Sequence, residues 1–113
     1  MDSESSEFIT PSVERRRHRR AQLIADVRCQ ALGHSEVLVT RDISPGGVFI
    51  TTKKPLPLQA EVTLTLRLDP KGPALTFHGH VVNSLKGLGM GVEFTEMSDE
   101  ARSMLQKFVD EAD

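Results

Sequence analysis

Apolar residues return at every second position through most of this chain, and at helical spacing once, near its end. From Leu23 the period of two puts Leu23, Ala25, Val27, Cys29 and Ala31 on one face, with Asp26, Arg28 and Gln30 on the other. That is the signature of a half-buried strand. Gly33-His34 predicts a turn into a second strand over residues 35–43, with Val37 and Val39 on one face and Thr40 and Asp42 on the other. Ser44-Pro45-Gly46-Gly47 fits a type II turn, with Pro at its second position and Gly where φ must be positive. Val48 to Thr52 is apolar and β-branched, a third strand, and Lys53 to Pro57 breaks the pattern as a loop.

Val62, Leu64, Leu66 and Leu68 alternate against Thr63, Thr65 and Arg67 in a fourth strand, closed by the hairpin loop Asp69-Pro70-Lys71-Gly72. Leu75, Phe77 and Val81 share one face of a fifth strand over residues 74–85. Lys86-Gly87 turns the chain into a sixth, Met90 to Thr95, with Val92 and Phe94 inward. Ser98 then reads as an N-cap, with Asp99 and Glu100 where the helix dipole favours negative charge. Ala101, Met104, Leu105, Phe108 and Val109 recur as the apolar stripe of a helix over residues 98–111. Six short strands and one helix predict a mainly β fold, a small six-stranded antiparallel barrel with a C-terminal α-helix.

Composition narrows the class. With 113 residues the chain suits one domain and one small core, and the absence of Trp and Tyr makes that core aliphatic. Residues 1–13 are polar, rich in Ser and Glu, and are expected to form a flexible tail. Cys29 is the single cysteine, so no internal disulfide is possible, and its place on the apolar face suits an inert core thiol. No apolar run approaches the ~18 residues of a membrane span, and the acidic N-terminus lacks the apolar stretch of a signal peptide. A cytoplasmic protein without membrane insertion is expected.

Charge is where the pattern departs from an ordinary barrel. Arg15, Arg16, Arg17, Arg19 and Arg20 put five guanidinium groups into six residues. Setting them aside takes the formal net charge from −2 to −7, so a mildly acidic body carries one concentrated basic arm, residues 14–22. A folding core gains nothing from such self-repelling charge, which calls for a solvated role or an anionic partner. A localised anion site fits this asymmetry better than a basic nucleic-acid-binding face, and no exposed aromatic stacking set accompanies the arm. Sequence-specific nucleic-acid binding is therefore not expected. Asp42 and Ser44, two residues apart before the turn, supply acceptors beside a close backbone approach at Gly47.

Other chemistry is thin. His78 and His80 share a strand face but no carboxylate or cysteine cluster completes a metal site. Glu93 reads as an outward strand residue, and Met90 and Met104 as core filling. There is no nucleophile–base pair and no phosphate-cradling Gly loop opening a helix, so neither an enzyme nor a cofactor is expected.

Arg16-x-x-x-Arg20, followed by Asp42-x-Ser44-x-x-Gly47, resembles the paired motifs of the PilZ family of cyclic di-GMP receptors, over about residues 14–110. The resemblance implies a six-stranded barrel with a C-terminal helix, a ligand rather than a cofactor, and a site made of Arg16, Arg20, Asp42, Ser44 and Gly47. Arg15, Arg17 and Arg19 stand as secondary contacts. Arg suits two phosphates and two guanines, because its planar fork matches phosphate and can also donate to guanine O6 and N7. Asp42 suits the N1–H and N2–H₂ edge of guanine. One nucleotide or a stacked pair both fit, and no oligomeric state is implied. The sequence departs from the family pattern at Arg19, where Pro is common, and at Val82-Asn83, near a late-strand Trp. The expected role is a ligand-binding adaptor whose arm clamps the dinucleotide on the barrel and whose signal passes to an effector protein, in motility, surface polysaccharide or a related process. The alternative is a PilZ-like interaction module that does not bind nucleotide.

Overall fold

A computed structural model describes residues 20–112. Seven strands and one helix follow in the order β1 (Ala21–Gln22), β2 (Asp26–Ala31), β3 (His34–Ser44), β4 (Gly47–Thr51), β5 (Glu61–Leu66), β6 (Leu75–Leu85), β7 (Gly89–Met97) and α1 (Asp99–Glu111). All pairings are antiparallel. The sheet runs β1-β3-β2-β5-β6-β7-β4, and a further β3–β4 pairing closes six of the strands into a barrel with β1 as an added edge. The predicted tail, residues 1–13, lies outside the described residues.

Alternation explains the closure. Val27 and Cys29 on β2, Leu64 and Leu66 on β5, Phe77 and Val81 on β6, and Met90 and Val92 on β7 all point inward and are buried. Burial raises the Cys29 thiol above its ordinary value, with Glu36 adding to the effect, as suits a core thiol. Phe94 is only partly buried; it stacks on Phe77 with ring centroids 4.9 Å apart. Ser98 caps α1 by accepting a hydrogen bond from the Ala101 N–H, 3.0 Å, and Ala101, Leu105 and Val109 form its buried stripe. The helix packs against β3 and β6.

Three local expectations are corrected. The stretch read as one strand from Leu23 divides into β1 and β2, and Leu23–Ala25 bridges them. There the backbone is held by Leu23 N–H to Arg41 O, 3.1 Å, and Thr40 N–H to Ala25 O, 2.9 Å. The first hairpin turns on Leu32-Gly33, both at positive φ (53° and 79°), because Ala31 pairs with His34. At the β3–β4 turn, positive φ is absent from Gly46, so the turn is not type II. Instead the Ser44 hydroxyl accepts from the Gly46 N–H, 3.3 Å, and donates to the Gly47 carbonyl, 3.4 Å.

β3 carries the change that matters for the site. Thr40 pairs with Ile50 and Asp42 with Phe49, leaving Arg41 as a bulge. One extra residue shifts the parity of a strand. Val37 and Val39 consequently face outward before the bulge, Thr40 faces inward, and Asp42 faces outward after it, not on the Thr40 face as expected. Ile43 regains the core at 0% exposure.

Candidate functional site

The bulge puts two consecutive side chains, Arg41 and Asp42, on the outer face of the barrel. β1 brings a third beside them. Its register sets Ala21 opposite Ile43 and Gln22 opposite Asp42, so Arg20 emerges at the same rim. Buried Thr40 fastens this approach: its hydroxyl accepts from the Ala25 N–H, 3.0 Å, and donates to the Leu23 carbonyl.

The three charged groups form one cluster. Arg20 Nε donates to Asp42 Oδ1 at 3.0 Å, with a second bond from the terminal nitrogen of the same guanidinium. Arg41 Nε donates to Asp42 Oδ2 at 3.0 Å. Partial burial alone would raise the Asp42 carboxyl, but the hydrogen bonds and charges of Arg20 and Arg41 outweigh it and hold the group below the usual carboxylate range. The Arg41 guanidinium also lies over the Phe49 ring, 4.0 Å from its centroid.

A surface groove of about 670 Å³ opens beside the cluster. Arg20, Arg41 and Phe49 lie along it with Ser44, Gly46 and Gly47 of the turn, and Val82, Asn83 and Glu93 complete the far side. Asp42 stands behind the two arginines as their shared counter-ion. Ser44 borders the groove but is almost fully buried, with its hydroxyl engaged in the turn. Gly47 has a structural cause of its own: a Cβ there would sit 2.4 Å from the Val92 carbonyl oxygen. Of the expected site residues, Arg20, Asp42, Ser44 and Gly47 come together. Arg15, Arg16, Arg17 and Arg19 lie outside the described residues.

Arg41, Phe49 and Asn83 were missed. Their signal was faint, because a bulge leaves no periodic mark and Phe49 sits between two inward residues, Val48 and Ile50. Neither His78 nor His80 lines this groove, although His80 neighbours Glu93 at its edge. His78 bonds Thr63 at 3.2 Å, and His80 lies 3.4 Å from Glu93. Among the described residues no group of three or more His, Cys, Asp or Glu could hold a metal ion. No described helix is long and apolar enough to cross a membrane.

Comparison with known proteins gives a consistent picture. The family model described as "PilZ domain" matches residues 14–111. A search of curated proteins by sequence finds no match. Among solved structures, the Bacillus subtilis inhibitor of motility (MotI/DgrA) superposes with a TM-score of 0.72 at 20% identity, covering 88% of this chain and 54% of that one. The PilZ domain of YcgR from Escherichia coli, solved with c-di-GMP, gives 0.70 at 15% identity, with 87% and 91% covered. The K. pneumonia MrkH–c-di-GMP complex gives 0.66 at 25% identity, with 84% and 51% covered. The chain thus spans about half the length of MotI and of MrkH.

Proposed function

The chain belongs to the PilZ domain family, and from that premise we propose that it is a cyclic di-GMP receptor working as an adaptor for a partner protein. One observation carries this reading: Arg20, the last residue of the arginine run, borders the groove and bonds Asp42 behind it. Arg20 of the first motif and Asp42 of the second, 22 positions apart in sequence, are thus already in contact. YcgR and MrkH, similar in fold, were solved with the same dinucleotide.

A carboxylate offers about four lone-pair sites. Arg20 takes two of those on Asp42 and Arg41 one. A guanine edge brings two donor groups, N1–H and N2–H₂, so gripping it displaces part of the Arg20 fork. The freed guanidinium then meets a phosphate or the guanine O6/N7 edge, exchanging one charge-assisted partner for another. Ser44 and Gly47 shape the wall against which the ligand lies. Arg16 supplies the second fork from the arm, with Arg15, Arg17 and Arg19 contributing longer-range attraction. The arm closing over the groove is the change an effector reads. No step requires bond making or breaking, which suits a binding module and not an enzyme.

Calorimetry with cyclic di-GMP tests the reading. The unsubstituted chain should bind, and Arg20→Ala and Arg16→Ala should each cost about 1–3 kcal/mol, the worth of one bidentate guanine contact. Absence of heat at high protein concentration would overturn it in favour of an interaction module. Tight, salt-sensitive binding to arbitrary DNA would overturn it in favour of a nucleic-acid binder.

A further inference from the structure

Phe49 points away from the core yet is only 8% exposed. Beneath it lie two glycines of β7: a Cβ on Gly89 would fall 2.6 Å from the ring, and one on Gly91 would touch it at 4.0 Å. Above it lies the Arg41 guanidinium. The ring is thus held between a glycine floor and a cation. Arg41 in turn has its position fixed twice, by the ring below and by Asp42 Oδ2 at its side. Its own side chain remains 56% exposed and borders the groove.

We propose that Arg41 is a further ligand-binding residue of this groove, its guanidinium plane a preset platform on which a purine base of the bound nucleotide stacks, with Phe49 the positioning residue beneath it. The inference rests on the receptor reading and deepens it. A flat cation seated over an aromatic ring keeps its outer face open, and guanidinium planes stack on bases. Holding the plane before the ligand arrives lowers the ordering cost of binding. The far wall supplies Val82 and Asn83 and no aromatic ring, so the stacking surface is on the β3–β4 side.

The experiment titrates cyclic di-GMP into the unsubstituted chain, Arg41→Ala, Arg41→Lys and Phe49→Leu, at low and high salt, with thermal unfolding of each variant. Base stacking is worth about 1–3 kcal/mol, so Arg41→Ala should bind roughly ten- to hundredfold more weakly. Arg41→Lys keeps the charge but has no plane, and should lose nearly as much at both salt concentrations. Phe49→Leu should weaken binding severalfold, and the Arg41 Nε–H proton should move upfield on adding ligand, as it would beneath a purine ring. Full affinity in Arg41→Lys would overturn stacking in favour of charge alone. Unchanged affinity in Arg41→Ala would overturn the site, and a Phe49→Leu variant that melts earlier but binds normally would overturn the positioning role. If the unsubstituted chain itself gives no heat, the receptor reading fails and this inference with it.

Discussion

At the scale of single residues, Asp42 is the pivot, because two guanidiniums compete for one carboxylate. Its folded pKa is depressed below the unfolded value. Such a group adds stability that is fully present above the ordinary carboxylate value of about 3.9, and loses it as pH falls through the lower folded value. The melting-temperature difference between the unsubstituted chain and Asp42→Asn should therefore be constant near neutrality and shrink below about pH 4. A difference that stays flat down to pH 2 would mean that the ion pairs contribute nothing in solution. Thr40 makes the complementary case for a buried polar group. Thr40→Val keeps the shape but strands the Ala25 N–H and the Leu23 carbonyl, and should cost about 1–3 kcal/mol in urea unfolding. Both residues were visible in the sequence as polar positions in an apolar run. Only Asp42 could be given a role there, since the partner of Thr40 is backbone that composition does not mark.

At the scale of elements, strands with strict alternation were fully legible: Val62, Leu64 and Leu66 face inward as their pattern requires. So was α1, whose cap, acidic first turn and apolar stripe all lie within its own residues. What escaped was irregularity. The Arg41 bulge inverts the facing of half a strand, and β-branched Val37 and Val39 gave no sign of lying outside. β1 escaped for a different reason: a two-residue strand is too short to show a period, and its existence depends on β3 offering an edge. The first hairpin shows the same limit and offers a test. Leu32 adopts φ 53°, a left-handed conformation that costs a non-glycine residue about 1–2 kcal/mol, and its side chain is exposed. Asn-Gly is the preferred pair for a two-residue turn with both φ positive. Leu32→Asn should thus stabilise the chain by about 1 kcal/mol, seen as a higher urea midpoint at unchanged slope. A lower midpoint would mean that Leu32 packs on something its exposure does not reveal.

For the whole molecule, closure of the barrel and placement of Arg20 at the groove depend on the same strand. β3 pairs with β1, β2 and β4, so the strand that completes the ring also holds the last residue of the arginine run against the groove. The sequence marked the arginine run by charge and the turn by Asp42-x-Ser44-x-x-Gly47, but the contact of Arg20 with Asp42 follows from topology, which no local pattern carries. In the receptor reading proposed above, a basic segment leading into an acidic body would draw an anionic ligand to one rim, and ligand bound there would bridge arm and barrel. That bridging has a direct readout, because trypsin cleaves after arginine and the run from Arg15 to Arg20 offers it five sites. Saturating cyclic di-GMP should slow cleavage within the run severalfold, in proportion to site occupancy, while cleavage elsewhere changes little. Asp42→Ala should abolish the protection, since it removes the proposed guanine acceptor on the barrel side. Equal cleavage rates with and without bound ligand would mean that the dinucleotide rests on the barrel alone, and the arm would then have to be read as a long-range attractor that never closes.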